Sequence, residues 1–171
     1  MKRYLSPFRI FRAGSERIDD LEPLWKELHH HHAAIAPQLG PARSPDESWQ
    51  RRKAFYVSWF KDPGTFILIA EKDHGAIGYA FVRLIEGSET WRTADKVAEI
   101  ETLSVLPEFR GSGLGSAFME AIYAELSKVG VQEISLAVVA TNSDALRFYE
   151  RHGFIQRIIH MWKPKSLIKN G

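Results

Sequence analysis

The sequence predicts a single α/β domain built around a mixed sheet, and two patterns predict it. Two strand-like runs separated by a short Lys-Asp-His-Gly turn read as an antiparallel hairpin in the middle of the chain. Behind the hairpin, strand-like and helix-like segments alternate, as they do where a sheet also carries parallel strands. The chain has 171 residues, enough for one hydrophobic core and short for two. Residues 1–171 are therefore read as one domain.

The elements follow in order. Phe8 to Arg12 reads as a first short strand. Ser15 opens a helical pattern in which Ile18, Leu21, Leu24, Trp25 and Leu28 share one face. Pro23 falls inside that pattern and predicts a kink or a restart. The segment from Pro37 to Pro45, rich in proline, is a loop. A second helix from Pro45 to Lys61 carries Trp49, Phe55, Tyr56, Trp59 and Phe60, which are expected to pack on the sheet. Arg51-Arg52-Lys53 is expected on its solvated side. Thr65–Glu71 and Ala76–Ile85 form the hairpin, and Val97–Val105 is a further strand ended by Pro107. Leu114, Ala117, Phe118, Ala121, Ile122, Leu126 and Val129 make a clean helical stripe that stops at Gly130. Glu133–Ala140 reads as a β-branched strand. Asn142 or Ser143 caps a short helix ending at Gly153, and Phe154–Trp162 reads as a last strand.

Composition narrows the function. A formal charge of +2 with both signs scattered along the chain argues against a nucleic-acid surface, which concentrates Lys and Arg on one face. The absence of cysteine removes disulfides, thiolate catalysis and cysteine-ligated zinc. Lys2 and Arg3 are not followed by an apolar stretch of a secretory leader. No apolar run approaches the roughly 18 residues that cross a bilayer. The expectation is a cytoplasmic protein with no membrane partner.

The most informative segment is Arg110-Gly111-Ser112-Gly113-Leu114-Gly115, between a strand and a helix. The first amides of a helix have no intrahelical partner, the macrodipole is positive there, and glycines allow close backbone approach, so this is a place for phosphate. Arg110 adds a fork of donors. A P-loop needs Gly-Lys-Ser/Thr, and Leu114-Gly115-Ser116 does not supply it. A dinucleotide fingerprint needs a third glycine where Ser116 stands, and the turn comes late in the chain. A tight turn with no ligand remains the plain alternative.

Arg110-x-x-Gly113-x-Gly115, preceded by Leu103-Ser104-Val105-Leu106-Pro107-Glu108, resembles the pyrophosphate motif of the GNAT superfamily of acetyl-CoA-dependent N-acetyltransferases. The segment from Asn142 to Phe154 (Asn-Ser-Asp-Ala-Leu-Arg-Phe-Tyr-Glu-Arg-His-Gly-Phe) resembles a second part of the same family, one helix and one strand further on. The resemblance is closest over residues 97–154, the implied cofactor-binding core. It implies a mostly antiparallel sheet of six or seven strands, splayed between the 97–105 and 133–140 strands, with helices on both faces. It implies acetyl-CoA as acetyl donor. The pantetheine arm would lie in the splay beside Leu103 and Val105, and the pyrophosphate on Arg110, Gly111, Ser112, Gly113, Leu114, Gly115 and Ser116. Asn142 would touch the pantetheine amide.

The chemistry asks for two more groups. An alkylamine with a pKa near ~10.4 is only about one part in a thousand neutral at pH 7.4, so a base helps. Glu99 and Glu101 are the candidates. Alternation places them with Val97, Leu103 and Val105 on one strand face unless a bulge intervenes. Such charges on a central strand point to a water-filled cleft, or to a solvated sheet edge. Glutamates at either position serve as base in enzymes that the sequence resembles, with Glu101 slightly preferred. Tyr149 resembles the family's acid for the departing thiolate, with core packing as its alternative. A bulge near Leu103 to Val105 would free an amide for the oxyanion.

The run His29-His32 is consecutive, radiates around its helix and has no acidic neighbour to complete a ligand set, so no metal is expected. The resemblance implies direct transfer in a ternary complex, and the absence of a cysteine to carry an acyl group agrees with it. The resemblance implies a primary amine acceptor, small molecule or peptide. Two glutamates favour a cationic one such as a polyamine, an aminoglycoside, a lysine side chain or a peptide N-terminus. A homodimer is compatible with the resemblance. The rivals are a non-catalytic acyl-CoA-binding sensor or regulatory module and, more remotely, a dinucleotide oxidoreductase.

Overall fold

The computed structural model describes residues 8–163. Strand β1 (Arg9–Ala13) leads through a 3-10 helix (Ser15–Leu21) into α1 (Glu22–Ile35). Pro23 stands in the first turn of α1, where its missing N–H has no partner to lose, so the pattern opened at Ser15 restarts there. Helix α2 (Pro45–Trp59) is capped by Ser44, whose hydroxyl accepts from the Glu47 amide at 3.2 Å. Strands β2 (Phe66–Lys72), β3 (Gly75–Glu86) and β4 (Lys96–Val105) follow, then α3 (Leu114–Ser127), β5 (Ile134–Leu136) and α4 (Ser143–Arg151).

The five strands lie side by side in chain order. β1 to β4 pair antiparallel, and β5 pairs parallel to β4, which requires the crossover that α3 provides. Ile67, Ile69, Tyr79 and Phe81 face α1 and α2 and meet Leu21, Leu24, Trp49 and Tyr56. Leu68, Ala80, Val82, Ala98 and Ile100 face the other way, onto Leu114, Phe118 and Ile122 of α3. The aromatics of α2 pack on the sheet as expected, except Phe55, which is exposed and stacks on Trp59.

At the centre of the α2 face, the Tyr56 ring stacks on Phe81 with centroids 4.0 Å apart. Its hydroxyl bonds to Tyr79 at 3.0 Å and to Thr102 at 2.6 Å. Burial raises both phenol pKa values, so the network is neutral. An unpartnered hydroxyl here would cost about 1–3 kcal/mol.

Among the described residues the sheet has five strands where six or seven were expected. The 133–140 strand shrinks to Ile134–Leu136, because pairing with β4 ends at Ile100–Leu136. The segment 154–162 joins no strand, and its Ile155, Ile158, Ile159, Met161 and Trp162 are exposed. β-branched composition specifies an extended chain, but a strand exists only where another edge accepts its hydrogen bonds.

Gly78 of β3 sits opposite Val105, and a Cβ there would lie 2.7 Å from the Ser104 carbonyl oxygen and 3.1 Å from the Phe118 ring. Neither the ladder nor the buried ring can retreat cheaply. Gly78→Ala is expected to destabilise the protein by about 1–3 kcal/mol, read as a lower urea midpoint at unchanged slope.

Candidate active site

Strand β4 decides the site. Phe81 pairs with Thr102 and Val82 with Ile100, so Glu101 is an extra residue, a β-bulge. The bulge reverses the alternation beyond it. Glu99 and Glu101 lie on the α1/α2 face, whereas Leu103 and Val105 pack with the α3 cluster. The four do not share one face as simple alternation predicts, and the bulge precedes Leu103 rather than falling between Leu103 and Val105. On its other edge β4 pairs with β5 only through Ala98–Ile100. Among the described residues, no strand pairs with that edge from Glu101 to Val105, so the sheet opens there.

The opening leads directly to the glycine turn. A 3-10 helix (Pro107–Phe109) and residues 110–113 connect β4 to α3. Gly113 is the N-cap of α3, with φ 89° and no side-chain cap, and Gly111 has φ 73°. Both are left-handed positions that favour glycine, and a Cβ at either would meet nothing within 4 Å. The first-turn amides of Leu114, Gly115 and Ser116 thus start an uncapped helix beside open space, which fits an anionic phosphate. The Ser112 hydroxyl donates to the Phe109 carbonyl at 2.6 Å, and Arg110 Nε donates to the Val105 carbonyl at 3.1 Å. Gly115 has a packing reason of its own, since a Cβ there would lie 3.1 Å from the Phe148 ring of α4. Ser116 Oγ is 3.1 Å from His152 Nε2.

On α4, Asn142 Oδ1 caps the helix by accepting from the Ala145 amide at 3.2 Å. Tyr149 packs on the α3-side cluster, 5.1 Å from Phe148 and 5.5 Å from Phe154 by ring centroids. Burial pushes its phenol pKa up to about 12. Among the described residues its hydroxyl has no hydrogen-bond partner.

On the other face the two glutamates differ. Glu101 Oε1 is 2.5 Å from Arg83 Nε, and Glu101 Oε2 is 4.0 Å from Arg52 Nη1. Glu99 accepts from the Ser135 hydroxyl of β5 and has no ion pair among the described residues. Burial raises the Glu99 pKa, partly offset by that hydrogen bond.

Arg52 and Arg83 were missed in the sequence, and a signal for each was present. Trp49, Arg52, Tyr56 and Trp59 recur at helical spacing, so Arg52 belongs to the inward stripe of α2 and not to its solvated side. Tyr79, Phe81 and Arg83 alternate along one face of β3. The histidines sit on α1, where burial and then neighbouring His31, His29 and Arg52 lower the pKa of His32. His29 Nδ1 is buried without a hydrogen-bond partner among the described residues. A hollow of about 440 Å³ lined by Arg17, Asp20, Glu71 and His74 involves neither the glutamates nor the glycine turn. No helix among the described residues is long and apolar enough to cross a membrane.

A mixed sheet open at the β4–β5 junction, with a glycine turn at the start of α3, is the class of α/β domain this chain forms. Within that class the chain belongs to the acetyltransferase (GNAT) family, which residues 25–154 match. It is 32% identical over 149 residues to a mycothiol acetyltransferase of Acidimicrobium ferrooxidans, covering 87% of this chain and 43% of that protein. A mycothiol acetyltransferase of Kocuria rhizophila is 34% identical over 147 residues, covering 85% and 45%. The chain thus spans under half the length of these curated relatives. Its fold is shared with a putative acetyl transferase from Pyrococcus furiosus (TM-score 0.74, 22% identity, covering 92% of this chain and 99% of that one). It is also shared with aminoglycoside N-acetyltransferase AAC(6')-Iy in complex with CoA (TM-score 0.69, 17% identity, covering 96% and 99%).

Two predictions follow from this geometry. Gly113→Val strains a left-handed position and fills the open space beside the α3 amides, so acetyl-CoA affinity measured by calorimetry should fall at least about tenfold. Unchanged affinity would remove the turn from the phosphate site. For Glu99, a folded pKa raised above the unfolded value of about 4.3 means that its stabilising contribution is present at lower pH and lost as pH rises through the folded pKa. Glu99→Gln should therefore melt higher than the parent at about pH 8, with the difference shrinking toward about pH 4.

Proposed function

We propose that this chain transfers the acetyl group of acetyl-CoA to a primary amine of a small molecule or peptide, directly and within a ternary complex. The observation that carries this reading is the end of β4–β5 pairing at Ile100. It leaves an opening with Glu99 on one face of the sheet, Tyr149 on the other, and the start of α3 beyond the end of β4. Bound there, acetyl-CoA supplies an acetyl group activated as a thioester.

The amides of Leu114, Gly115 and Ser116 hold the pyrophosphate, and Arg110 adds its charge beside them. Leu103 and Val105 line the pantetheine arm from the α3 side. Asn142 keeps its amide NH2 for that arm while its Oδ1 caps α4. Glu99 is the base that takes the ammonium proton. It has no ion pair among the described residues, and burial makes it a stronger base than an ordinary carboxylate. Glu101, paired with Arg83, positions the acceptor face. Tyr149 holds its proton through neutral pH, because burial keeps its pKa near about 12, and gives that proton to the departing thiolate. Its hydroxyl, without a hydrogen-bond partner among the described residues, supports this role over plain packing.

Calorimetric titration with acetyl-CoA, with NADH as control, followed by thiol release against a panel of amines, tests the reading. Micromolar acetyl-CoA binding with amine-dependent thiol release is expected. Binding without release from any amine would favour the acyl-CoA sensor, and no binding would overturn the donor. Tyr149→Phe should lower kcat by roughly 100-fold or more while leaving acetyl-CoA affinity intact. Full activity in that variant would return Tyr149 to a packing role.

A further inference from the structure

The arginines beside the glutamates are not engaged alike. Arg52 from α2 and Arg83 from β3 both approach Glu101, at 4.0 and 2.5 Å, so two guanidinium groups meet one carboxylate. Glu99 accepts from the Ser135 hydroxyl and pairs with neither arginine among the described residues.

Arg52 is the less engaged of the two. Its guanidinium carbon lies 4.4 Å over the Trp25 ring, 5.6 Å from Tyr56 and 5.8 Å from Trp59. Its side chain is only 24% exposed. A guanidinium has five N–H donors in a fixed fork, yet among the described residues Arg52 makes no hydrogen bond. Its contact with Glu101, at 4.0 Å, is too long for one. Arg83, by contrast, spends Nε on Glu101 and stacks over Trp59 at 4.5 Å. A mostly buried fork that is held by aromatic faces and offers unused donors is suited to a planar anion.

We propose that Arg52 receives a carboxylate carried by the acceptor itself, so that the acceptor class is an amino acid or similar zwitterionic amine rather than a polycation. This rests on the acetyltransferase reading above. The amine would lie toward Glu99, the carboxylate on Arg52, and the intervening carbons against Trp25 and Trp59. The two glutamates alone favour a cationic acceptor; the two arginines, invisible as partners in the sequence, reverse that preference.

The test compares kcat/KM for amino acids with that for their own carboxamides, alongside spermidine, in the parent, Arg52→Gln and Arg52→Lys. The parent should prefer carboxylate over carboxamide by roughly 10- to 100-fold, the scale of one charged hydrogen-bonded contact, expressed in KM. That ratio should collapse toward one in Arg52→Gln and stand between in Arg52→Lys, which keeps the charge but not the fork. Unchanged acetyl-CoA affinity in both variants shows that they are folded. If amines turn over with no carboxylate preference, with spermidine best, or with a preference that survives Arg52→Gln, the inference is overturned and the acetyltransferase reading stands. If acetyl-CoA binds but no amine turns over, the acetyltransferase reading fails and this inference fails with it.

Discussion

A backbone N–H or C=O inside a protein needs a partner, and a strand meets that need only where a neighbouring edge is in register. β4 pairs with β3 along its length, with one register shift at Glu101, but with β5 only across Ala98–Ile100. The rest of the site depends on that lapse. Immediately beyond the last shared pair, the bulge at Glu101 turns the strand and exchanges its faces. Acidic side chains are directed toward α1 and α2, and Leu103 and Val105 toward α3. One extra residue thus separates a charged face from an apolar one within a single strand, beside an edge left open to another molecule's hydrogen bonds.

The walls of the opening are tied together by hydrogen bonds from side chains to backbone. The Thr141 hydroxyl donates to the Ile35 carbonyl at 2.6 Å, linking the end of α1 to the start of α4. The Ser104 hydroxyl donates to the Leu24 carbonyl at 3.3 Å, joining β4 to α1. Behind the glycine turn, the absence of a side chain at Gly115 lets Phe148 approach, and Ser116 meets His152. The turn is therefore glycine-rich for two different reasons. Gly111 and Gly113 need left-handed backbone and leave open space, whereas Gly115 makes room for a neighbouring helix.

Electrostatics on the α1/α2 face are less economical than packing would require. Charged groups lose water when buried, and a buried ion pair rarely adds stability over an apolar replacement. Here Glu99, Glu101, Arg52 and Arg83 are all largely covered, with Trp25 and Trp59 supplying aromatic faces to the cations in place of water. Beneath them the neutral Tyr56–Tyr79–Thr102 network satisfies its hydroxyls without adding charge. Such a face is costly for folding alone, which favours a functional origin for it.

The local rules of chain geometry determined much of this protein. Periodicity placed the helices, Pro23 marked the restart of α1, and the hairpin and the crossover followed from alternation. The glycine turn was legible because glycine, strand end and helix start are neighbours in sequence. Pairing was not legible. The chemistry of Val138, Val139, Ile158 and Ile159 favours extension, but only a partner edge makes a strand, and that edge belongs to tertiary structure. The bulge at Glu101 depends on register between β3 and β4, so the faces of the two glutamates were decided there too. Arg52 and Arg83 sat on readable stripes, yet their meeting at Glu101 joins residues 31 and 49 positions apart on a helix and a strand (101 minus 52 is 49; 83 minus 52 is 31). The sequence by itself determined the helices, the hairpin and the glycine turn that opens α3. Tertiary structure alone decided which charges meet on the α1/α2 face, because that depends on elements distant in the chain being brought side by side.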